Sequence, residues 1–269
     1  MNADLPTPVA PLFTAVILAG SRPGGDPMAQ AAGVASKALL RVGGQAMLAR
    51  VARTLLSHPR TARLVVLAQE PDALAADPDC AWLREEPRIA FVTSGAGISH
   101  SILNLLEQGG AAFPVLLTTA DNVLLNHAMI DSFLGGLARA DLAVAMVERR
   151  VLLSRYPESR RTWLKFRGGW WSGANLFWLA GDKVMPLLAF WHRVEQDRKK
   201  GMKIVGAFGP LLLLGALFRM LTIHQAVARA GRRFGLAAQV VPMPQAEACI
   251  DVDKVADKIL AEGILARRN

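Results

Sequence analysis

The apolar residues of this chain fall into short continuous runs, and between the runs they recur at helical spacing. Residues 13–19, 64–68, 89–93, 114–119 and 142–147 are each almost wholly apolar. Runs of this length, rich in Val, Ile, Leu and Thr, predict strands buried on both faces rather than strands with one wet side. Met47, Leu48, Val51 and Leu55 instead step by three and four, which predicts a helix over 45–56 that exits before Pro59. Helices are likewise expected over 101–108, ended by Gly109-Gly110, and over 129–138. Strands alternating with helices predict an α/β fold, a mostly parallel sheet with helices on both faces. Ligands of such sheets bind beyond the carboxyl ends of the strands. Gly20, residues 93–97 and Asp121 each follow a strand directly, so all three are expected on one rim.

Beyond residue 150 the rhythm changes. Residues 165–178 read as a hairpin around Gly168-Gly169, and 185–200 as a helix with Pro186 in its first turn. The stretch 204–218 carries no charge but is shorter than the ~20 residues a spanning helix needs, and Gly209-Pro210 interrupts it. A buried or interface-lying helix is the expectation there. Residues 223–234 read as a basic amphipathic helix and 237–241 as a last strand. Ile250-Asp251-Val252-Asp253 then leads into a closing helix over 254–265, with Asp253 as its N-cap and Asp251 on the rim of the sheet. With no repeat or long linker, the 269 residues read as one domain, 1–269, carrying a helical, basic, Trp-containing insertion at 182–235.

Composition sharpens this in two ways. Apolar residues make up 52% of the chain, enough for a sizeable core. Two cysteines without metal-ligand spacing point to a reducing compartment and no zinc site. The N-terminus shows no basic patch followed by an apolar core, so a cytoplasmic location is expected. The net charge of +9 is concentrated: residues 149–233 hold 17 Lys/Arg against four Asp/Glu, a balance of +13, and five of the six tryptophans. A basic field of this kind attracts phosphates, nucleic acid or anionic lipid, or is simply a solvated surface.

The candidate chemistry begins after the first run, where Leu18-Ala19-Gly20-Ser21-Arg22 opens a glycine-rich, basic loop and Lys37 follows in Ser36-Lys37-Ala38-Leu39. A buried strand ending in such a loop can aim backbone N–H groups at one anion, with Arg22 and Lys37 adding full charges. A nucleoside triphosphate is the simplest ligand for that arrangement. Asp121 and Asp251, each expected to follow an apolar strand and so to share the rim, are the carboxylates that would then hold Mg2+, which takes one or two protein carboxylates plus substrate phosphates.

These segments resemble the MobA-like nucleotidyltransferases. Leu18-Ala19-Gly20 with Arg22, Lys37-Ala-Leu-Leu and Gly43-Gly-Gln-Ala-Met-Leu48 match the family's nucleotide loop, although Ser21 stands where a second glycine is usual and Pro23–Pro27 expand the loop. Thr118-Thr-Ala-Asp121 resembles the strand-end motif whose aspartate binds the catalytic magnesium. Gly97-Ile-Ser99-His-Ser101-Ile resembles the base and ribose loop in its cytidylyltransferase form. Ser172-Gly173-Ala-Asn175 resembles the acceptor-side segment, and Asp251-Val-Asp253 the closing motif with the second magnesium ligand. The resemblance covers 13–147, 172–178 and 249–262. It implies a Rossmann-like sheet of the GT-A type and a Mg2+-dependent transfer of a nucleotidyl group, CMP from CTP being favoured, to a phosphorylated acceptor with loss of pyrophosphate. Arg22 and Lys37 would serve the β- and γ-phosphates, residues 18–21, 97, 99 and 101 the nucleotide, and Asn175 the acceptor. Ser99 reads equally well as a helix N-cap and Asn175 as a turn residue. His100 and His192 read as structural or surface residues, since an ionised phosphate needs no general base.

Three rivals share these signals: molybdenum-cofactor nucleotidylation, a GT-A glycosyltransferase, and a non-catalytic nucleotide-binding membrane adaptor. Neither small substrate implies nucleic acid as a partner. For the basic, Trp-rich section two readings stand. It contacts an anionic membrane peripherally, or it binds a soluble phosphorylated acceptor while the apolar stretch serves as core or interface. Oligomeric state is left open.

Overall fold

The structure is a computed structural model that describes residues 12–20, 25–95, 97–196 and 220–268. Ser21, Arg22 and the apolar stretch 204–218 lie outside the described residues.

Strand β1 (Phe13–Leu18) forms the middle of the sheet. The short ribbon strands β2 (Arg41–Val42) and β3 (Gln45–Ala46) follow it in the chain and pair only with each other. On either side of β1 and parallel to it run β4 (Thr61–Ala68) and β6 (Val115–Thr119), and β5 (Ile89–Thr93) extends the parallel edge beyond β4. The other half is mixed. Strand β7 (Leu142–Glu148) is separated from β6 by β9 (Gly169–Leu179), which runs antiparallel to both. The hairpin strand β8 (Leu164–Phe166) pairs with the start of β9, and β10 (Ala238–Pro242) lies parallel to β7 at the edge. The spatial order is β10-β7-β9-β6-β1-β4-β5.

Both faces of β1 are dry, as its unbroken apolar run requires. Ala15 and Ile17 pack on one side with helix α2 (Met47–Ser57) and helix α5 (His127–Gly135), the fifth in chain order. Val16 packs on the other side with α4 (Ile98–Glu107) and α7 (Met185–Gln196). Each fully buried Leu or Ile contributes about 1.5–3 kcal/mol of hydrophobic stabilisation. A third, smaller core joins Trp171, Met146 and Val240 to Ile223 of α8 (Ile223–Arg232), whose start is closed by a Thr222/Gln225 capping box. The chain ends in α9 (Val255–Ala266).

The rhythm of the sequence is thus reproduced, with corrections at particular places. Gln45 does not open a helix. Gly43 and Gly44, at φ 58° and 79°, make the two-residue turn of a hairpin, and α2 starts at Met47. Short helices α1 (Pro27–Ala31), α3 (Pro71–Ala75) and α6 (Arg149–Arg155) occur where no helix was expected; Asp26 caps the first of them. The expected helix 185–200 is described as far as Gln196. No helix among the described residues is long and apolar enough to cross a membrane.

Candidate functional site

The parallel register aligns Leu18 with Leu67 and Thr119, and Leu67 with Val92. The segments that follow these residues therefore form one rim, as expected. Gly20 sits there against Gln69: a Cβ at position 20 would come within 3.0 Å of the Gln69 side chain. Ala120 N–H donates to Leu18 O (3.0 Å), which locks the start of the glycine loop to the segment carrying Asp121.

Asp121 is only partly exposed, and both its oxygens are engaged. Thr119 Oγ1 donates to Oδ1 (2.6 Å), and Lys37 Nζ donates to Oδ2 (2.7 Å). Lys37 stands on a short 3₁₀ turn begun by Ser36 and donates also to Asp253 Oδ1 (2.7 Å). Burial alone would lower the pKa of this amine. The charge and hydrogen bonds of Asp121 and Asp253 outweigh that and hold it above the ordinary lysine value.

Asp251 reaches the same rim by another path. It does not directly follow a strand, which corrects the expectation from sequence. After β10 the chain turns through Ala246–Cys249 and returns across β7 and β9, and Val252 N–H then donates to Asp121 O (3.2 Å). Its carboxylate is ion-paired with Arg161 and accepts from Asn175 Nδ2 (2.8 Å). Arg161, almost fully buried, also lies 3.6 Å from Asp257. Asn175 occupies a bulge: Val144 pairs with Phe177 but Met146 with Gly173, leaving extra residues in β9. Its backbone is left-handed (φ 49°), a conformation asparagine tolerates better than most residues. The neighbouring Asn122, buried, ties Thr118 to Ala174 O across the two strands.

The structure therefore brings Gly20, Lys37, Asp121, Asp251 and Asn175 together. Asp253 is not the N-cap of α9; it takes Lys37, and Asp257 caps instead by accepting from the N–H groups of Asp253 and Lys254. Ser99 is not a cap either, because Gly97 occupies that position. The Ser101 hydroxyl is spent inside its loop, donating to Gly97 O (2.7 Å) and accepting from Gly95 N–H (2.9 Å), so it shapes the loop. His100 stacks on His192 at 4.4 Å, a contact that joins α4 to α7. Arg161 and Thr119 were not anticipated. Thr119 was visible in the motif, two residues before Asp121, whereas nothing local marks Arg161, whose partner lies 90 positions along the chain.

The donor set suits magnesium. Among the described residues no three His, Cys, Asp or Glu side chains converge on one point. Asp121 and Asp251 are hard oxygen donors on one rim, the kind of ligand Mg2+ takes one or two of beside phosphates and water. A separate groove of about 670 Å³, lined by Arg53, Ser57, Trp82, Arg88 and His127, lies at the opposite end of the sheet, where β4 and β5 begin. It holds no part of this constellation.

A parallel-sheet rim bearing a glycine loop, a lysine and two adjoining carboxylates defines the class: an α/β enzyme that handles nucleoside phosphates. Residues 15–206 match the model of the MobA-like NTP transferase domain, and the chain belongs to that family; it is a nucleotidyltransferase. The match includes 149–171, which the motif resemblance had left out, and stops before 249–262. Among solved structures, a hypothetical transferase from Thermus thermophilus is similar at 26% identity and a TM-score of 0.75, covering 92% of this chain and 99% of that one. A 4-diphosphocytidyl-2C-methyl-D-erythritol synthase from Anaerococcus prevotii shares the fold at 10% identity and a TM-score of 0.60, covering 96% and 97%. So does a CMP:2-keto-3-deoxy-manno-octonic acid synthetase complexed with CTP, at 10% identity and a TM-score of 0.56, covering 96% and 99%. No curated protein matches the sequence significantly.

Proposed function

We propose that this nucleotidyltransferase moves CMP from CTP to a phosphorylated small molecule or lipid precursor, with Mg2+ as cofactor and pyrophosphate as the second product. The carrying observation is the meeting of Lys37, Asp121 and Asp251 on one rim, through contacts that span 84 residues between the first two and a backbone bond between the segments of the last two. CTP is favoured by the Gly97–Ser101 loop and by the cytidylyl chemistry named for two proteins of the same fold.

In this reading the loop 18–21 wraps the triphosphate with its backbone, and Arg22 and Lys37 stabilise the β- and γ-phosphates as pyrophosphate departs. Residues 97, 99 and 101 shape the pocket for base and ribose. Asp121 and Asp251 would hold the magnesium ion, which when bound supplies positive charge for the phosphates. Arg161 and Asn175 orient Asp251, so Asn175 serves the metal side as much as the acceptor. The acceptor phosphate is already ionised at neutral pH and attacks the α-phosphorus without a general base. In this reading the chain acts as one domain, in which the basic, Trp-containing segment 182–235 is an insertion whose described parts include α7 and α8.

Four NTPs tested with Mg2+ against sugar, polyol and lipid phosphates, reading pyrophosphate, provide the test. Pyrophosphate release with CTP and one acceptor class is expected. Release with GTP alone would move the reading to guanylyl transfer, and consumption of nucleotide-sugars without pyrophosphate would replace it with glycosyl transfer.

A further inference from the structure

Beyond the metal side of the rim, the β8–β9 hairpin carries a charged aromatic cluster that the chemistry above leaves unused. Lys165 pairs with Trp170 across the hairpin, and Glu148 pairs with Trp171, which brings Arg149 level with Trp170 from the other side. Side chains from β8, from β9 and from Arg149, the first residue of α6 directly after β7, thus stand in a row. The Lys165 ammonium lies 4.4 Å and the Arg149 guanidinium 5.0 Å from the centre of the Trp170 ring, which is 37% exposed. Among the described residues neither cation has a carboxylate partner; the nearby Glu148 is taken by Arg150.

The row faces the site. Alternation along β9 sends Trp171 into the small core under α8, with His224 against its ring. Ala174, Leu176 and Trp178 pack on the opposite face with Ile250 and Val252, the residues flanking Asp251. Trp170 shares that second face. Asn175 lies in the bulge opposite Ala145, and Arg149 lies four residues further along the same strand line, so the cluster is about 13 Å from Asn175.

We infer that Arg149, Lys165 and Trp170 form a second anion subsite for the acceptor: the acceptor carries a phosphate or carboxylate at the end remote from its reacting phosphate. This rests on the nucleotidyltransferase reading, since it is that reading which places the reacting phosphate beside Asp251 and Asn175. Two cations flanking one indole without a carboxylate partner leave positive charge unmet, and an anion drawn to the cluster gains at least one charge-assisted contact. An acceptor of similar size with a single anionic group gains nothing there.

Calorimetry on the full chain with Mg2+ tests this, using fructose 1,6-bisphosphate and fructose 6-phosphate as matched probes. Wild type should bind the bisphosphate about tenfold or more tightly than the monophosphate, the return of one charge-assisted contact. The Arg149→Ala/Lys165→Ala variant should bind the two alike, and Trp170→Ala should lose part of the preference. CTP binding, measured on the same samples, should be equal in all. A preference that persists in the double variant, or none in wild type, overturns the subsite. Binding of anionic phosphatidylglycerol vesicles that depends on Arg149 and Lys165, without any bisphosphate preference, also overturns it and assigns the cluster to a lipid surface. If CTP fails to bind while the preference stands and depends on both cations, the anion subsite survives and the function proposed above does not.

Discussion

Asp121 and Asp251 offer the same carboxylate to the same rim, and the molecule delivers them by opposite means. Asp121 arrives locally. It follows β6 by two residues, and Thr119 of that strand bonds it at 2.6 Å. Asp251 arrives after the chain has left the sheet at its far edge and come back across two strands. It is then held by side chains from distant places, Arg161 and Asn175. A strand end inherits its position from the backbone ladder, whereas a returning loop needs clamps. One carboxylate is therefore robust and the other conditional, and substitutions should separate them.

The largest effect is expected at Asp121. Asp121→Ala should lower turnover about 10³-fold or more, as removal of a site charge does, while leaving the fold intact because Lys37 keeps Asp253. Steady-state pyrophosphate release together with thermal melting checks both halves. Asp251→Asn should cost about 10²-fold, since the amide keeps part of the packing but loses the charge.

Arg161→Ala sharpens the contrast most directly. It leaves Asp251 and Asp257 without their shared, nearly buried cation, at a cost of about 3 kcal/mol in urea unfolding and a raised magnesium requirement. Thr119→Val, the equivalent change beside Asp121, should cost only about 1 kcal/mol and shift the magnesium requirement little. If the two variants behave alike, the distinction between a ladder-held and a clamp-held carboxylate fails.

Asn175 should respond to backbone and side chain separately. Asn175→Gly removes the bond to Asp251 but accepts the left-handed backbone, and Asn175→Ala removes the bond and strains the backbone by about 1 kcal/mol more. Equal stabilities for the two variants would show that the bulge relaxes.

The smallest effect is alkaline. Burial pushes the thiols of Cys80 and Cys249 from 9.0 up to about 12 and about 11, and paired carboxylates raise Lys37 above 10.5. For all three the folded state keeps protons that the unfolded chain releases. Their contribution is whole below about pH 9 and is lost as pH rises through the folded values. Native protein at pH 8 should accordingly react with a thiol reagent far more slowly than protein in denaturant.

Sequence by itself determined the parallel half of the sheet, the rim, and the local members of the candidate site. Strands β1, β4 and β6 carry continuous apolar runs because both faces are covered, the edge strand β5 is half-buried against a core on each face, and that pattern needs no partner to be read. Gly20, Lys37 and Asp121 were legible for a related reason: each lies beside such a run, in a motif a few residues long. Asp251 was identified on its motif, although its route to the rim was not. Only the tertiary structure decided that β9 runs antiparallel through the sheet, that Asp253 belongs to Lys37 rather than to a helix cap, and that Arg161 holds Asp251. Those features depend on pairings between residues 60, 90 or 216 positions apart. No local periodicity encodes such a pairing; it exists only once burial has fixed which loops share an edge.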